Sequence, residues 1–355
     1  LQTVSIDFKQ LQATLTAHLQ QQPTYAHSCQ LQLLAHGEAN IIFRLNRDRL
    51  VRIAVNTPNQ RFQGEFQRVT QFEAAILRFL SGSGIGHELY AAQMTAPDDF
   101  PFTYLITNYL EGRSLTYSRA DLQQAAQTLA NLHRLPRSPR HDLSSLQPTI
   151  PVVDQPLSIF YREAEAYAQP YLDSPHAEAE VIERVQTVLH RAAQQCQREQ
   201  WLVDAPYRCL VHSDHTYENW VIGSDRAYLI DWEWAEIGSP AGDLGHFLSP
   251  VTVQRRQGYQ MPESDRDWFL KCYYDALEDK NLADTIRRHF AAFGVYPAVR
   301  SLCWTAGYWV TANRWYAKAE DSPSAAERLT RLEHSRQQFN GFYEAIMRWF
   351  DTDWD

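Results

Sequence analysis

Lysine is almost missing from this chain: Lys9 is followed by no other until Lys271. No Gly-Lys-Ser or Gly-Lys-Thr exists, which excludes a P-loop. Positive charge is short overall, with 33 Lys and Arg against 42 Asp and Glu and a formal charge of −9. A general binder of nucleic acid or of an anionic membrane needs the opposite surplus, so neither partner is expected. A small phosphate ligand stays open, because one local cluster of donors can hold it. Long apolar runs are missing too, and nothing approaches the roughly 18 apolar residues of a membrane span. Residues 1–20 alternate apolar positions with Gln, Asp and Lys and predict no signal peptide. The chain starts at Leu1, not Met, from which some trimming is expected. The five cysteines (Cys29, Cys196, Cys209, Cys272, Cys303) are odd in number and scattered, and no Cys-x-x-Cys occurs. That argues against a disulfide framework or a structural zinc site, and makes a reducing, cytoplasmic setting the expectation.

What is present is ordinary for a globular protein: 355 residues, 44% apolar and 21% charged. At roughly 150 residues per domain this length suggests about two units or one large two-lobed one, with enough buried surface to need no staple. Leu11, Leu15 and Leu19 recur at helical spacing. Residues 31–34, 40–45 and 50–55 read as short strands split by polar turns. Phe72, Ile76, Phe79 and Leu80 return to helical spacing until Gly82, Gly84 and Gly86 stop the run. Residues 102–109 read as another strand. Beyond it come a helix over 121–133, an irregular Pro- and Ser-rich connector over 136–156, and mainly helical patterns over 164–200 and 262–349. All ten tryptophans fall at or after Trp201. The expectation is an α+β chain: residues 1–110 a small sheet crossed by a helix, residues 111–355 a larger, mainly helical lobe.

Chemistry concentrates between Leu210 and Phe247. His212-Ser213-Asp214 is followed by Asn219, and a short strand at 227–230 delivers Asp231 and then Trp232-Glu233. The pattern is His-x-Asp-x-x-x-x-Asn plus a second carboxylate at a strand end, the arrangement of kinase catalytic loops. In such chemistry one carboxylate meets the attacking hydroxyl, while an amide oxygen and a second carboxylate hold Mg²⁺ against nucleotide phosphates. Aspartates commonly serve in turns or as caps. Seven carboxylates from Asp214 to Asp243 share one arginine, a crowding that a purely structural loop lacks reason to build without a cation.

The segment resembles the aminoglycoside phosphotransferase and choline kinase superfamily, which has a protein-kinase-like two-lobed fold. The residues that carry the likeness are Leu229 to Trp234, then Gly238-Ser239-Pro240-Ala241-Gly242-Asp243-Leu244-Gly245, and upstream Leu129-Ala130-Asn131-Leu132-His133. It extends from about Leu33 to Phe247. The resemblance implies an ATP- and Mg²⁺-dependent kinase of a small-molecule hydroxyl. Asp214 would be the catalytic base and Asn219 and Asp231 the metal ligands. His212 and Asp243 would support the loop. Two positions depart from the pattern: Ser213 stands where a glycine is usual, and His215 where an apolar residue is usual.

A kinase also needs a cation for the phosphates, and with lysine missing the cation must be arginine. Arg52 sits at the strand position the family uses, and its fork can grip two phosphate oxygens. Glu73, beside the apolar stripe of the helix 71–80, would orient it, since an unpaired carboxylate there is costly. The phosphate cradle would be residues 36–40, with Gly37 and Asn40. The hinge would be Thr107 to Gly112, with Asn108 and Leu110 offering backbone groups to adenine. His212 and His215 form a His-x-x-His pair with no third zinc ligand at a matching spacing, and His133 reads as a hydrogen-bonded core residue. Trp304, Tyr308, Trp309, Trp315 and Tyr316 read mostly as core. Part of that run, Trp304 and Trp309 with Glu233, would wall a cationic acceptor. The sequence leans towards an amino-alcohol such as choline, ethanolamine, thiamine or an aminoglycoside. The competing reading is a kinase-like scaffold that binds nucleotide or metabolite without transfer. Transfer to protein is disfavoured, for no activation segment fits between Asp231 and Asp243. Acceptor, nucleotide preference and oligomeric state are not legible.

Overall fold

A computed structural model describes residues 7–36, 39–57, 59–256, 259–316, 323–352 and 354, without the side chains of residues 60 and 312–328. The elements begin with α1 (Phe8–Gln20), β1 (Leu31–His36), β2 (Asn40–Leu45), β3 (Arg49–Ala54), α2 (Phe66–Phe79), β4 (Leu89–Gln93) and β5 (Tyr104–Asn108). Next come α3 (Arg119–Arg134), α4 (Pro156–Leu172), α5 (Ala179–Gln195) and α6 (Glu199–Asp204). Four short strands follow: β6 (Cys209–Val211), β7 (Trp220–Ile222), β8 (Ala227–Leu229) and β9 (Glu236–Gly238). The chain then runs through α7 (Pro240–Leu248), α8 (Pro250–Val253), α9 (Glu263–Ala276), α10 (Lys280–Phe293), α11 (Tyr296–Tyr316) and α12 (Pro323–Asp351). They group into two compact units. The first holds the chain up to residue 113 together with 139–150 and 221–234; the second holds the rest.

The first unit is built on an antiparallel sheet in the order β1-β2-β3-β5-β4. Side chains alternate across a strand, and Val51 and Ile53 of β3 join Phe43 and Ile106 in a cluster with Leu11, Leu15 and Leu19 of α1. Each of those leucines contributes roughly 1.5–3 kcal/mol by leaving water. Asp7 caps α1 by accepting from the N–H groups of Lys9 and Gln10. Arg52, between Val51 and Ile53, therefore belongs to the opposite face, where α2 packs on β3, β4 and β5. That helix starts at Phe66, earlier than the expected residue 71, because Val69 extends its buried stripe and Phe66 meets Phe102. It stops where expected, with Gly82 and Gly84 at φ of +71° and +70°. The edge strand β4 was not legible: Leu89 to Gln93 is half-buried to exposed and carries no apolar alternation. The connector expected as irregular has 3₁₀ turns at Leu135–Arg137 and Leu143–Leu146. Its residues 139–150 belong to the first unit, where His141 packs on Phe79 and Leu146 is buried. Residues 221–234 return there as well, carrying the β7–β8 pair.

The second unit is mainly helical. Ser118 caps α3 by accepting the N–H of Asp121, and the Asp121 carboxylate accepts in return from the Thr116 N–H and hydroxyl. The first bond satisfies a helix-end donor and the second ties the preceding turn to the first turn of α3. Strands β6 and β9 pair antiparallel, Val211 opposite Glu236, so the loop after β6 and helix α7 after β9 leave the same small sheet. Every residue of α7 is buried. At Gly245 a Cβ would stand 2.1 Å from the Gly294 carbonyl oxygen, so only glycine lets α7 and the end of α10 approach this closely. No helix among the described residues is long and apolar enough to cross a membrane. All five cysteines are free.

Candidate active site

In the second unit the loop after β6 is held by Asp243 of α7, which is fully buried. Its carboxylate accepts from the backbone N–H groups of His212 and Ser213 at 3.0 and 2.8 Å and from His133 Nε2 at 3.0 Å. His215 Nε2 lies 2.8 Å from its other oxygen as an ion-pair contact. The pKa of Asp243 is well below the ordinary carboxylate value: burial pushes it up, and the neighbouring His215 and His133 more than reverse that. His133 is the core histidine expected from the sequence, bonded also to the Tyr273 hydroxyl at 2.7 Å. Ser213, where a glycine is usual, has φ +64°. That left-handed conformation costs a residue with a Cβ about 1–2 kcal/mol, which explains the glycine preference physically.

Asp214 is half-buried beside this bracket. Asn219, at the end of the short 3₁₀ turn Tyr217–Asn219, donates its amide nitrogen to the Asp214 carbonyl at 3.0 Å and to the Asp214 carboxylate at 2.9 Å. With the nitrogen so used, the amide oxygen is the atom of Asn219 left for a ligand. Two of the three residues read from the motif are thus already one hydrogen-bonded pair. The His-x-x-His pair is absorbed by the bracket: His212 Nδ1 accepts the Asp214 N–H at 3.3 Å, and His215 faces Asp243.

In the first unit, Arg52 Nη2 lies 3.0 Å from Glu73 Oε1 and also hydrogen-bonds Asp231. Glu73 accepts the Trp232 N–H at 3.2 Å, which ties the helix directly to the segment after β8. Burial lowers the Arg52 pKa, but the Asp231 and Glu73 carboxylates outweigh it and the net shift is upward. Burial raises the Glu73 carboxyl to about 7 against the pull of Arg52. The Arg52 Nε is buried and bonded to nothing among the described residues, an orphaned donor that suits an anionic ligand. Asp231 is held at φ +67°. It takes this strained conformation where Leu229 N donates to the Ile85 carbonyl at 2.8 Å. A Cβ on Gly86 would come within 3.0 Å of the Leu229 carbonyl oxygen. The glycine run read as a helix stop therefore also seats the strand that delivers Asp231. Its signal in the sequence was a glycine beyond those needed to end a helix.

Asn40, at the start of β2, is buried with its amide oxygen unpartnered among the described residues. Gly37 lies outside them. Asn108 uses both backbone groups inside its unit: its N–H donates to the Glu88 carbonyl at 3.1 Å, and its carbonyl accepts from His87 Nδ1 at 2.9 Å. The Leu110 backbone makes no hydrogen bond among the described residues. Glu233 is buried, and its charge adds to the pull on Arg52. Trp304 is 44% exposed and stacks on Tyr308 at 4.7 Å. Trp309 is buried against Tyr171 and Phe339 with its Nε1–H on Ser335, so it is core. The side chains of Trp315 and Tyr316 lie outside the described residues.

An antiparallel sheet with a buried Arg–Glu pair, and a helical unit with a His-x-Asp-x-x-x-x-Asn loop bracketed by an aspartate, are the parts of a kinase-like fold. The chain belongs to the phosphotransferase enzyme family, whose model matches residues 30–268. Solved structures agree on the fold. An ethanolamine kinase of Plasmodium vivax is 15% identical at a TM-score of 0.58, over 86% of this chain and 85% of its own. A choline/ethanolamine kinase family protein of Mesorhizobium loti is 15% identical at 0.57, over 95% and 99%. The type IIa aminoglycoside 2″-phosphotransferase, in a ternary complex with streptomycin and ATP, is 17% identical at 0.53, over 95% and 99%. No curated protein sequence matches the chain.

Proposed function

We propose that the chain transfers the γ-phosphoryl group of ATP, with Mg²⁺, to a hydroxyl of a cationic amino-alcohol. The observation that carries the reading is the Arg52–Glu73–Asp231 cluster, in which one buried guanidinium serves two carboxylates and keeps a donor without a partner. Arg52 binds the α- and β-phosphates, and Glu73 holds its rotamer. Asn40 and Gly37 cradle the phosphates, and the hinge offers adenine the Leu110 backbone, with Asn108 shaping the strand end beside it. Asn219, through its amide oxygen, and Asp231 hold Mg²⁺. Two protein ligands would suffice for Mg²⁺, which dehydrates reluctantly. When bound it neutralises charge on the phosphates. Asp214, oriented by the Asn219 amide, accepts the hydroxyl proton as the acceptor oxygen bonds to phosphorus and the bond to the β-phosphate oxygen breaks. Catalysis of this kind needs positioning and charge compensation more than covalent help.

The amino-alcohol class is supported by Glu233 and by the exposed Trp304–Tyr308 stack, a ring face that attracts a cation. Proteins of similar fold are named for ethanolamine, choline and aminoglycosides. Trp309 has no part in the acceptor site. A cytoplasmic setting completes the proposal. The test is calorimetric titration with ATP in the presence and absence of Mg²⁺, then a coupled turnover assay with choline, ethanolamine, thiamine, streptomycin and homoserine. Mg²⁺-dependent binding with turnover on a cationic acceptor is the expected result. Failure to bind ATP overturns the reading, and binding without transfer to any acceptor assigns the chain to the scaffolds.

A further inference from the structure

The loop after β6 leaves its ladder at Val211, and its next four backbone N–H groups need new partners. Each finds a side chain. Those of His212 and Ser213 go to the two oxygens of Asp243, and that of Asp214 goes to His212 Nδ1. That of His215 goes to His246 Nδ1 at 2.9 Å. Nothing in the motif or in the family resemblance gives His246 a part. It lies three residues after Asp243 on α7, so the two side chains share a face of the helix, and both bond the same loop.

We infer that His246 is a positioning residue for phosphoryl transfer: by accepting the His215 N–H it fixes the backbone after Asp214, as Asp243 fixes the backbone before it. The inference rests on the reading of Asp214 as the base. The chemistry explains why a histidine stands here. A second buried carboxylate beside Asp243 would be costly, since Arg300, whose charge reaches His246, is already paired with Glu163 at 2.9 Å, whereas an unprotonated imidazole accepts without charge. Burial, with His215, Arg300 and His212 acting in the same direction and Asp243 opposing, keeps the His246 pKa well below the ordinary value. The acceptor is therefore present across the neutral range, with the ring proton on Nε2. His215, in turn, has its ring among Trp220, Phe247 and Asp243, so fixing its backbone also fixes a packed side chain next to Asp214.

The experiment compares His246→Asn, which keeps an acceptor on Cγ where Nδ1 stood, with His246→Leu and His246→Gln, which do not. The probe is hydrolysis of Mg²⁺–ATP by the full chain without added acceptor, together with calorimetric affinity for ATP. His246→Leu is expected to lower kcat about tenfold, the worth of one buried hydrogen bond, with the ATP Kd within about twofold. His246→Asn is expected to stay within about twofold in both. If the Leu variant does not fold, the contrast of Asn with Gln decides the same point. In the wild-type chain labelled with ¹⁵N-histidine, His246 Nδ1 should show the unprotonated shift and a coupling to the His215 N–H. A proton on Nδ1, a Leu variant with wild-type kcat, or an Asn variant as slow as Leu overturns the inference. Asp214→Asn is the control: if it leaves hydrolysis unchanged, the reading of Asp214 has failed, not the role of His246.

Discussion

Asp243 in the second unit and Glu73 in the first are both buried acids, 0% and 4% exposed, and their surroundings differ. Asp243 accepts from two backbone N–H groups and faces two imidazoles. Glu73 shares Arg52 with Asp231 and has one backbone N–H besides. One acid is thus driven below its ordinary pKa and the other above it, in spite of similar burial. Burial alone always favours the neutral acid, so the number of donors per carboxylate decides the sign. The first arrangement is saturated and suits a bracket. The second is short of positive charge and holds a spare donor, which suits a site completed by a ligand.

The contrast can be broken experimentally, most forcefully at the residue Asp243 supports. Asp214→Ala is expected to cut turnover roughly 10²–10⁴-fold, about 3–5.5 kcal/mol of transition-state stabilisation. Its urea midpoint should match wild type and ATP binding should survive. Unchanged turnover in the folded variant would remove the reason for the bracket.

Asp243→Ala removes an acid with four neighbours depending on it and should cost about 3–5 kcal/mol of stability. Glu73→Ala leaves Arg52 paired with Asp231 and should cost only about 1–2 kcal/mol, while weakening ATP binding. Equal losses in urea unfolding would erase the distinction between saturated and shared acids.

Acid should separate the units as well. His133 and His246 have lowered pKa values in the native state, burial being the largest cause. The unfolded chain then binds more protons below the ordinary histidine value of about 6.5, so their stability contribution is lost as pH falls through that region. Asp243 adds its own loss only below its ordinary 3.8. In the first unit His87, lowered to about 4 by burial, acts in the same direction. Glu73 acts in the opposite one, since its raised pKa adds stability as pH falls below about 7. Hydrogen exchange between about pH 7.5 and 5 should therefore show protection falling in α3 and α7 while α2 changes little. A larger fall in α2 would contradict these assignments.

The smallest effect is expected at Ser213→Gly. Relief of the left-handed strain is about 1–2 kcal/mol, and the added freedom of glycine in the unfolded chain returns about 0.5–1. The net should be a gain of no more than about 1.5 kcal/mol, read from the thermal midpoint. A clear loss would mean that the serine side chain stabilises the loop.

Sequence pattern placed Arg52 on a strand, Glu73 on a helix and the His-x-Asp-x-x-x-x-Asn run in a loop because each follows from spacing along one element or one short loop. The bracketing role of Asp243 came only from the family resemblance, and the hydrogen bonds to the His212 and Ser213 N–H groups are the structure's. Pattern also carried the leading helix and the core reading of His133. It did not carry β4, whose residues lack an apolar face, or the second use of Gly86, which depends on a strand about 140 residues later. Nor did it show His246, since a lone histidine on a buried helix has no signal until the loop it bonds is in place. Trp304 and Trp309, five residues apart on one helix, read alike, and packing put one at the surface and the other in the core.

By itself, then, the order of residues determined which groups were available: no lysine between Lys9 and Lys271, a loop with Asp and Asn at fixed spacing, and a local excess of acid around it. Only the tertiary structure decided which acid received enough donors to stay ionised and which was left sharing one guanidinium. Spacing along a chain sets neighbours within an element, whereas the pKa and freedom of a buried group depend on every element that packs around it.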